Sequence, residues 1–113
     1  MFTLTGEAKV FLYQGSVDMR KSFESLSFLI EEAFPGLLLS GSFFVFLSRR
    51  SDRMKVLYFD KDGFAIWYKR LEKGSFKTKH KNHALLSRTE FFMLLEGIQP
   101  KHIQKRWKNM PEP

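Results

Sequence analysis

The sequence predicts an α+β fold: a single domain with a mainly antiparallel sheet, a central hairpin, and helices packed on one face of that sheet. Three observations lead to this prediction. Two strand-like runs flank an Asp-Gly turn, an earlier segment repeats its apolar residues every three or four positions, and a capping box marks a second helix. The 113 residues are enough for one hydrophobic core and too few for two, so we expect one domain over residues 1–113.

The N-terminal part of the chain predicts a strand followed by a helix. Lys9 to Tyr13 has strand-like residues, and Gln14-Gly15-Ser16 is expected to turn the chain. From Asp18 to Phe34 the apolar residues follow a helical spacing, with Asp18 as the expected N-cap and Pro35-Gly36 as the stop. The side chains expected to pack on the sheet are Phe23, Leu26, Ile30, Ala33 and Phe34.

Three runs rich in aromatic and branched residues follow, at Phe43 to Leu47, Arg53 to Asp60 and Phe64 to Arg70. We predict that the last two pair as an antiparallel hairpin through Asp62-Gly63, because the glycine of an Asp-Gly pair tolerates the positive φ of a tight turn. A fourth, more polar edge strand is expected at Ser75 to Lys79.

The C-terminal part predicts two helices. Ser87-Arg88-Thr89-Glu90 matches the capping box, so a helix is expected from there to Glu96, with Gly97 as its C-cap. Pro100 is expected to open a last short helix that carries Trp107, which we expect to pack on the core. Residues 99–113 are expected to be a basic tail, with Met110 to Pro113 frayed.

Composition excludes several classes of function. The chain has no cysteine, which rules out disulfides, thiolate zinc sites and a cysteine nucleophile. The longest apolar runs, such as Phe43 to Leu47, are far shorter than the roughly 20 residues of a membrane helix. The N-terminus also lacks the basic and then apolar pattern of a signal peptide. We therefore expect a cytoplasmic protein without a membrane segment.

The residue types that support catalysis or metal binding do not converge in the sequence. Asp18 is expected to cap a helix, Asp60 and Asp62 belong to the hairpin turn, and Asp52 lies between arginines. His80 and the histidine three residues later have a spacing compatible with zinc but no third ligand nearby, so a solvated loop is expected. We predict no enzymatic activity, no metal and no cofactor.

Positive charge is concentrated in the middle of the chain. Residues 49–81 hold 11 Lys/Arg and 4 acids, a net charge of +7 that equals the net charge of the whole chain. Such a cluster suits phosphate binding, with an aromatic residue nearby for base stacking. The alternative is an ordinary solvated face whose cations pair with the neighbouring aspartates. The candidate nucleic-acid-binding residues are Arg49, Arg50, Arg53, Lys55, Lys69 and Arg70.

The length of the hairpin turn decides which cations share a face. Alternation along a strand places Arg53 and Lys55 together. A turn of two or four residues adds Arg70 to that face, whereas a turn of three residues adds Lys69. Either register is expected to gather three cations at the end of the hairpin that lies away from the turn.

Four ordered motifs resemble a known family over roughly residues 10 to 98. They are Gly15-x-x-Asp18-Met19-Arg20-Lys21-x-Phe23, Phe44-Val45-Phe46-x-x-Arg49-Arg50-x-Asp52-Arg53-x-Lys55-Val56-Leu57-x-x-Asp60-x-x-Gly63, Lys69-Arg70-Leu71-Glu72-x-Gly74-x-Phe76 and Leu94-Leu95-Glu96-Gly97-Ile98. Together they resemble the TnpB accessory proteins, the second-open-reading-frame products of bacterial insertion sequences of the sixty-six family. The C-terminal tail and the stretch from Lys77 to His83 depart from the family pattern.

The resemblance implies a role in DNA transposition without catalysis by this chain. In that family the large transposase is a separate chain that carries the catalytic carboxylates, so the implied partners are DNA and the large transposase of the same element. Two functions stay open. The protein either binds DNA as an accessory factor, or docks on the transposase as an adaptor without contacting DNA. A patch of exposed aromatics at Phe59, Phe64 and Trp67 would favour the adaptor.

Overall fold

The computed structural model describes residues 8–96, which form a five-stranded sheet and two helices. In chain order the elements are β1 (Val10–Ser16), α1 (Phe23–Ala33), β2 (Phe43–Leu47), β3 (Arg53–Asp60), β4 (Gly63–Arg70), β5 (Ala84–Leu86) and α2 (Arg88–Leu95). The strands lie in the order β4-β3-β2-β1-β5, with β1 and β2 parallel and every other pair antiparallel. The predicted α+β class and mainly antiparallel sheet are confirmed.

The central hairpin forms as predicted. β3 and β4 pair along their full length, with Asp60 opposite Gly63. The turn therefore contains two residues, and Lys61 rather than Gly63 takes the left-handed backbone conformation, with φ of 57°. This turn length selects the register that places Arg70 directly opposite Arg53.

The two helices lie on opposite faces of the sheet, so the prediction that they share one face is wrong. Ile30 of α1 packs in a cluster with Phe44 of β2, whereas Phe91 of α2 packs in a cluster with Val45. Because successive strand residues point to opposite faces, each helix covers a face of its own. The reason lies in β2, whose five residues are all apolar and all buried. Such a run is typical of a strand covered on both sides.

Helix α1 begins one turn later than predicted, and Asp18 is not its N-cap. The Asp18 carboxylate instead accepts hydrogen bonds from Arg20, from the backbone N–H at 2.9 Å and from the guanidinium at 2.7 to 3.1 Å. These bonds hold residues 18–21 in a separate turn. The N-cap is Ser22, whose side chain makes no capping bond. The helix ends at Ala33, before the predicted Pro-Gly stop.

Helix α2 has the predicted capping box. The Ser87 hydroxyl accepts from the Glu90 N–H at 3.1 Å, and the Glu90 carboxylate accepts from the Ser87 N–H at 3.1 Å. The helix ends at Leu95, within one residue of the prediction. The predicted C-cap at Gly97 and the helix from Pro100 lie outside the described residues. Neither described helix has the length and apolar character that a membrane crossing requires.

The predicted edge strand at Ser75 to Lys79 is absent, and a different segment takes an edge of the sheet. Phe76 is buried, and its N–H donates to the carbonyl of Ser51, so this stretch packs against the sheet without joining it. The edge strand is β5, which pairs antiparallel with β1. Its three residues are too few to show a strand periodicity in the sequence.

Strand β1 also runs through the predicted turn at Gln14-Gly15-Ser16. Ser16 still pairs with Leu47, after a register shift in which Gly15 takes a φ of 94°. The Gln14 N–H, beyond the end of the β5 ladder, donates to Nδ1 of His83 at 2.8 Å. The glycine therefore marks a bulge within the strand, where the sequence suggested its end.

Two alanine substitutions on α1 test which of its side chains form the core. Ile30→Ala should lower the free energy of unfolding by about 2–5 kcal/mol, because this side chain is fully buried. Phe23→Ala should cost less than about 1 kcal/mol, because Phe23 is 44% exposed, contrary to the expectation from spacing. Urea titrations followed by circular dichroism measure both losses. Equal losses would contradict the structure.

The pH dependence of stability should report the contact between His80 and Glu90. Their side chains approach to 2.7 Å, and this bond, with the Ser87 N–H, lowers the pKa of the Glu90 carboxyl below 4.5. A lowered folded pKa means that the stabilisation is complete above 4.5 and is lost as pH falls through the folded value. The stability advantage of the wild type over Glu90→Gln should therefore shrink as the pH falls below the ordinary value of 4.5 and through the lowered folded pKa. An advantage that stays constant over this range would contradict the ionised contact.

Candidate nucleic-acid interface

The loop between β2 and β3 is a tight, internally bonded turn that carries two exposed arginines. The Ser48 hydroxyl donates to the Asp52 carboxylate at 3.1 Å and accepts from the Arg53 N–H at 3.1 Å. The Ser48 N–H donates to the Arg53 carbonyl at 3.0 Å, which closes the loop. Arg49 and Arg50 therefore extend from a backbone that is fixed at both ends.

The loop between β1 and α1 lies beside this turn. The Val17 N–H donates to the Leu47 carbonyl at 2.9 Å, which holds the loop against the end of β2. The ion pair between Asp18 and Arg20 follows at once, with 2.7 Å between the nearest oxygen and nitrogen. The hydrogen bonds from Arg20 lower the pKa of the Asp18 carboxyl to about 2, so both partners stay charged at neutral pH.

The two loops line an open cleft of about 600 Å³ at one end of the sheet. The parallel strands β1 and β2 both end there, and crevices outside the carboxyl ends of parallel strands are frequent binding sites. The charged and aromatic residues of the lining, which we call the cationic cleft, are Asp18, Arg20, Arg49, Arg50, Asp52, Arg53 and Tyr68.

Positive charge in the cationic cleft is not neutralised within residues 8–96. Arg20 is paired with Asp18, and the Asp52 carboxylate is bonded to Ser48. The other arginine side chains of the lining form no hydrogen bond or ion pair with a described residue; they are Arg49, Arg50 and Arg53. The alternative of ion pairs to the neighbouring aspartates therefore does not hold for Asp52, although its charge remains in the lining, where four arginines and two aspartates leave a net charge of +2.

Lys55 lies beneath the cationic cleft, and its ammonium is not at the surface. The residue is 8% exposed, its ammonium donates to the Lys21 carbonyl at 2.6 Å, and its Nζ lies 5.0 Å from the centroid of the Tyr68 ring. The bond to Lys21 ties the start of α1 to the hairpin. Lys55 therefore supports the cleft and is poorly placed to contact a phosphate directly.

The last two predicted cations lie on different faces of the sheet. Arg70 is opposite Arg53, is exposed, and pairs with Glu72 at 3.3 Å. Lys69 is on the face covered by α2, where its ammonium donates to the Leu95 carbonyl at 3.0 Å.

The six predicted residues do not form one cluster. The structure gathers Arg49, Arg50 and Arg53 in the cleft, places Arg70 beside them, and separates Lys55 and Lys69 from them.

Arg20 is the cleft residue that the sequence analysis did not select. It lies outside residues 49–81, where the excess of positive charge drew the prediction. Only its place in the motif Asp18-Met19-Arg20-Lys21 pointed to it. Proximity of the two loops is a long-range property of the fold, and charge counting along the chain does not reveal it.

The two histidines expected in a solvated loop have structural partners. His80 contacts Glu90, and His83 accepts a hydrogen bond from Gln14 while its ring lies 4.9 Å from that of Tyr13. These contacts attach the segment before β5 to α2 and to β1. Within the described part of the chain, no group of three or more His, Cys, Asp and Glu side chains is arranged to hold a metal ion.

Comparison with known proteins places these features in a family. A family model described as "IS66 Orf2 like protein" matches residues 8–105. The uncharacterized protein y4hO of Sinorhizobium fredii (strain NBRC 101917 / NGR234) is 31% identical over 102 residues, which cover 88% of this chain and 89% of the relative. The uncharacterized protein y4jC of the same strain is 32% identical over 92 residues, which cover 80% of this chain and 79% of the relative. No solved structure matches the chain.

The supporting role of Lys55 can be tested apart from any ligand. Lys55→Met keeps the apolar stem and removes the ammonium that bonds to Lys21. Because a hydrogen bond to a charged group contributes about 1.5–3 kcal/mol, amide exchange in residues 18–22 should accelerate and the free energy of unfolding should fall by about that amount. Lys61→Met, at an exposed lysine of the hairpin turn, is the matched control and should change neither. Unchanged exchange in residues 18–22 of Lys55→Met would refute this role.

Proposed function

The chain belongs to the family of IS66 Orf2-like proteins, and from this premise we propose that this transposition accessory protein binds DNA through the cationic cleft and catalyses no reaction itself. The observation that carries the proposal is that Arg49, Arg50 and Arg53 of the cleft form no ion pair or side-chain hydrogen bond with any of residues 8–96. Guanidinium groups bind phosphate oxygens through two parallel hydrogen bonds and are weakly hydrated, which suits them to contacts with a nucleic-acid backbone.

The geometry favours binding that depends little on sequence. Arg49 and Arg50 are exposed on a loop whose own bonds fix its backbone, so little ordering is needed when a phosphate arrives. Contacts with phosphates set the position of DNA on a protein and carry no direct sequence information. Tyr68 is 48% exposed in the wall of the cleft and offers a ring on which an unpaired base can stack.

The state of the acidic side chains in the cleft supports a role without catalysis. Phosphoryl transfer by metal ions needs carboxylates that converge on the ions with free oxygen atoms. Asp18 is held by the Arg20 guanidinium, and Asp52 is bonded to Ser48. Both oxygens of Asp18 are thus occupied, and Asp52 is the one carboxylate of the described lining with a free oxygen, which is fewer than two converging carboxylates. In this proposal the separate large transposase performs the chemistry.

The adaptor function is the second candidate, although the aromatic patch first considered for it does not form. Phe64 belongs to the face covered by α1, whereas Trp67 belongs to the face covered by α2. Phe59 packs against Phe64 edge to face at 5.2 Å. The observation that favours an adaptor is instead Phe28 on α1, whose side chain is 64% exposed. DNA binding and partner docking therefore draw on different residues and are compatible.

A salt titration tests the proposed DNA contact. If three or four arginines neutralise phosphates, the affinity for duplex DNA should fall with log salt at a slope of about −3 to −4. Arg50→Ala/Arg53→Ala should weaken binding to element-end and unrelated DNA alike and reduce the slope by about two, because each charge contributes about one. Fluorescence anisotropy at several salt concentrations measures the slope, and circular dichroism confirms that the fold is kept.

A matched control separates the cationic cleft from net charge. Lys73→Ala/Lys77→Ala removes the same charge from two exposed lysines outside the cleft, and it should leave the affinity within about twofold of the wild type. An equal loss in both double variants would mean that general charge and not the cleft attracts DNA. A wild type without salt-dependent binding would refute the DNA contact. If such a protein still captured the large transposase in a pull-down, the result would support the adaptor function.

A further inference from the structure

The outer side of α1 carries a second surface, which differs from the cationic cleft in both residues and charge. A shallow groove of about 430 Å³ runs along α1 beside the start of β4. It shares no lining residue with the cleft. We call it the α1 groove, and its apolar and acidic lining residues are Phe23, Glu24, Phe28, Glu31, Leu38 and Phe64.

The floor of the α1 groove is apolar and in contact with solvent. Phe28 is 64% exposed and Phe23 is 44% exposed, while Leu38 and Phe64 are half-buried. Single exposed apolar residues are ordinary on protein surfaces, but four that line one concave surface are typical of a binding site. Aromatic side chains that fill a partner's surface contribute a large part of the binding energy at protein interfaces. The groove is therefore suited to an apolar stripe on another element.

The charged residues along the groove indicate which side chains a partner would carry beside its apolar stripe. Residues 22–48 contain three glutamates and no lysine or arginine, in a chain that has 19 Lys/Arg in all. Glu24 and Glu31 form no hydrogen bond or ion pair with any described residue. They are seven residues apart on α1, which puts them on the same flank about 10 Å apart along the helix axis. Two carboxylates at this spacing favour a cationic partner and repel nucleic acid.

We propose that the α1 groove binds a cationic amphipathic helix of a partner protein. Its apolar stripe would pack on Phe23 and Phe28, and lysines or arginines two turns apart would pair with Glu24 and Glu31. A helix is the occupant that matches the length and direction of a groove formed along another helix. The proposal goes beyond the DNA contact and does not depend on it, because the two surfaces have no residue in common.

Two synthetic peptides of about 18 residues test the proposal on the full chain. Both carry leucines at positions i, i+3, i+4 and i+7, and the polar positions are all lysine in one and all glutamate in the other. Fluorescence anisotropy should show the lysine peptide binding at least about tenfold more tightly. Phe28→Ala should weaken it at least about tenfold, and Glu24→Lys/Glu31→Lys should reverse the preference between the peptides.

Two control variants separate this surface from the rest of the molecule. Phe92→Ala removes an aromatic ring that is 41% exposed, close to the 44% of Phe23, from α2 on the other face of the sheet, and it should leave binding of the lysine peptide unchanged. Arg50→Ala/Arg53→Ala should lose DNA affinity and keep peptide affinity, so failure of the DNA proposal and failure of this one give different results. Both controls and Phe28→Ala change exposed or half-buried side chains, and circular dichroism verifies the fold of each.

Several outcomes would overturn the proposal. Equal affinity for the two peptides would mean that the groove is merely apolar, and wild-type affinity in Phe28→Ala would place the binding elsewhere. A wild-type dimer in analytical ultracentrifugation that Phe28→Ala dissociates would assign the groove to a second copy of the chain. If the lysine peptide bound only to the Trp107→Ala variant and not to the wild type, the groove would be assigned to the chain's own C-terminal segment.

Discussion

The burial of β2 on both faces is the constraint on which the arrangement of the other elements depends. All five of its residues are apolar, and none exposes more than 8% of its surface, so each side of the sheet needs its own cover. α1 covers one side as it connects β1 to the parallel β2, and α2 covers the other. Because parallel neighbours end at the same edge, the loop after β1 and the loop after β2 come together there. The cationic cleft is a consequence of this connection.

The cleft shows how the fold keeps cations together at a cost in electrostatic repulsion. Arg53 and Arg70 are directly opposite on neighbouring strands, where like charges destabilise a sheet by up to about 1 kcal/mol per pair. The acids nearby relieve this repulsion only in part, since Asp52 forms no ion pair with Arg53, Asp18 is paired with Arg20, and Arg70 has an exposed partner in Glu72. The Lys55 ammonium beneath them is bonded to a neutral carbonyl and not to a carboxylate. With four arginines and two aspartates, the described lining of the cleft keeps a net charge of +2, which favours an anionic ligand.

Local signals in the sequence predicted the central hairpin and the start of α2, whereas long-range contacts decide the sheet edge, the start of α1 and the placement of the helices. The β3–β4 hairpin and the capping box of α2 were predicted because neighbouring residues determine turns and helix starts. The opposite placement of the helices depends on which faces of β2 are buried, and the start of α1 depends on Arg20 taking the Asp18 carboxylate from a capping role. The sequence analysis selected only some of the cleft arginines, because a count of charge along the chain finds residues that are close in sequence. Arg49, Arg50 and Arg53 are close in the chain, whereas Arg20 joins them only through the fold.

The opposite charges of the two surfaces bear on how an accessory protein of this family can serve a separate transposase. A cationic helix that suits the α1 groove is repelled by the cleft arginines, and DNA that suits the cleft is repelled by Glu24 and Glu31. If both proposals hold, the two ligands do not compete for one site, and one chain would hold both at once. Holding both raises the effective concentration of the partner near DNA without any contact between partner and DNA. Joint action at a transposon end would then require only moderate affinity at each surface, because the two affinities combine through the sheet to which α1 and the β2–β3 loop are both attached.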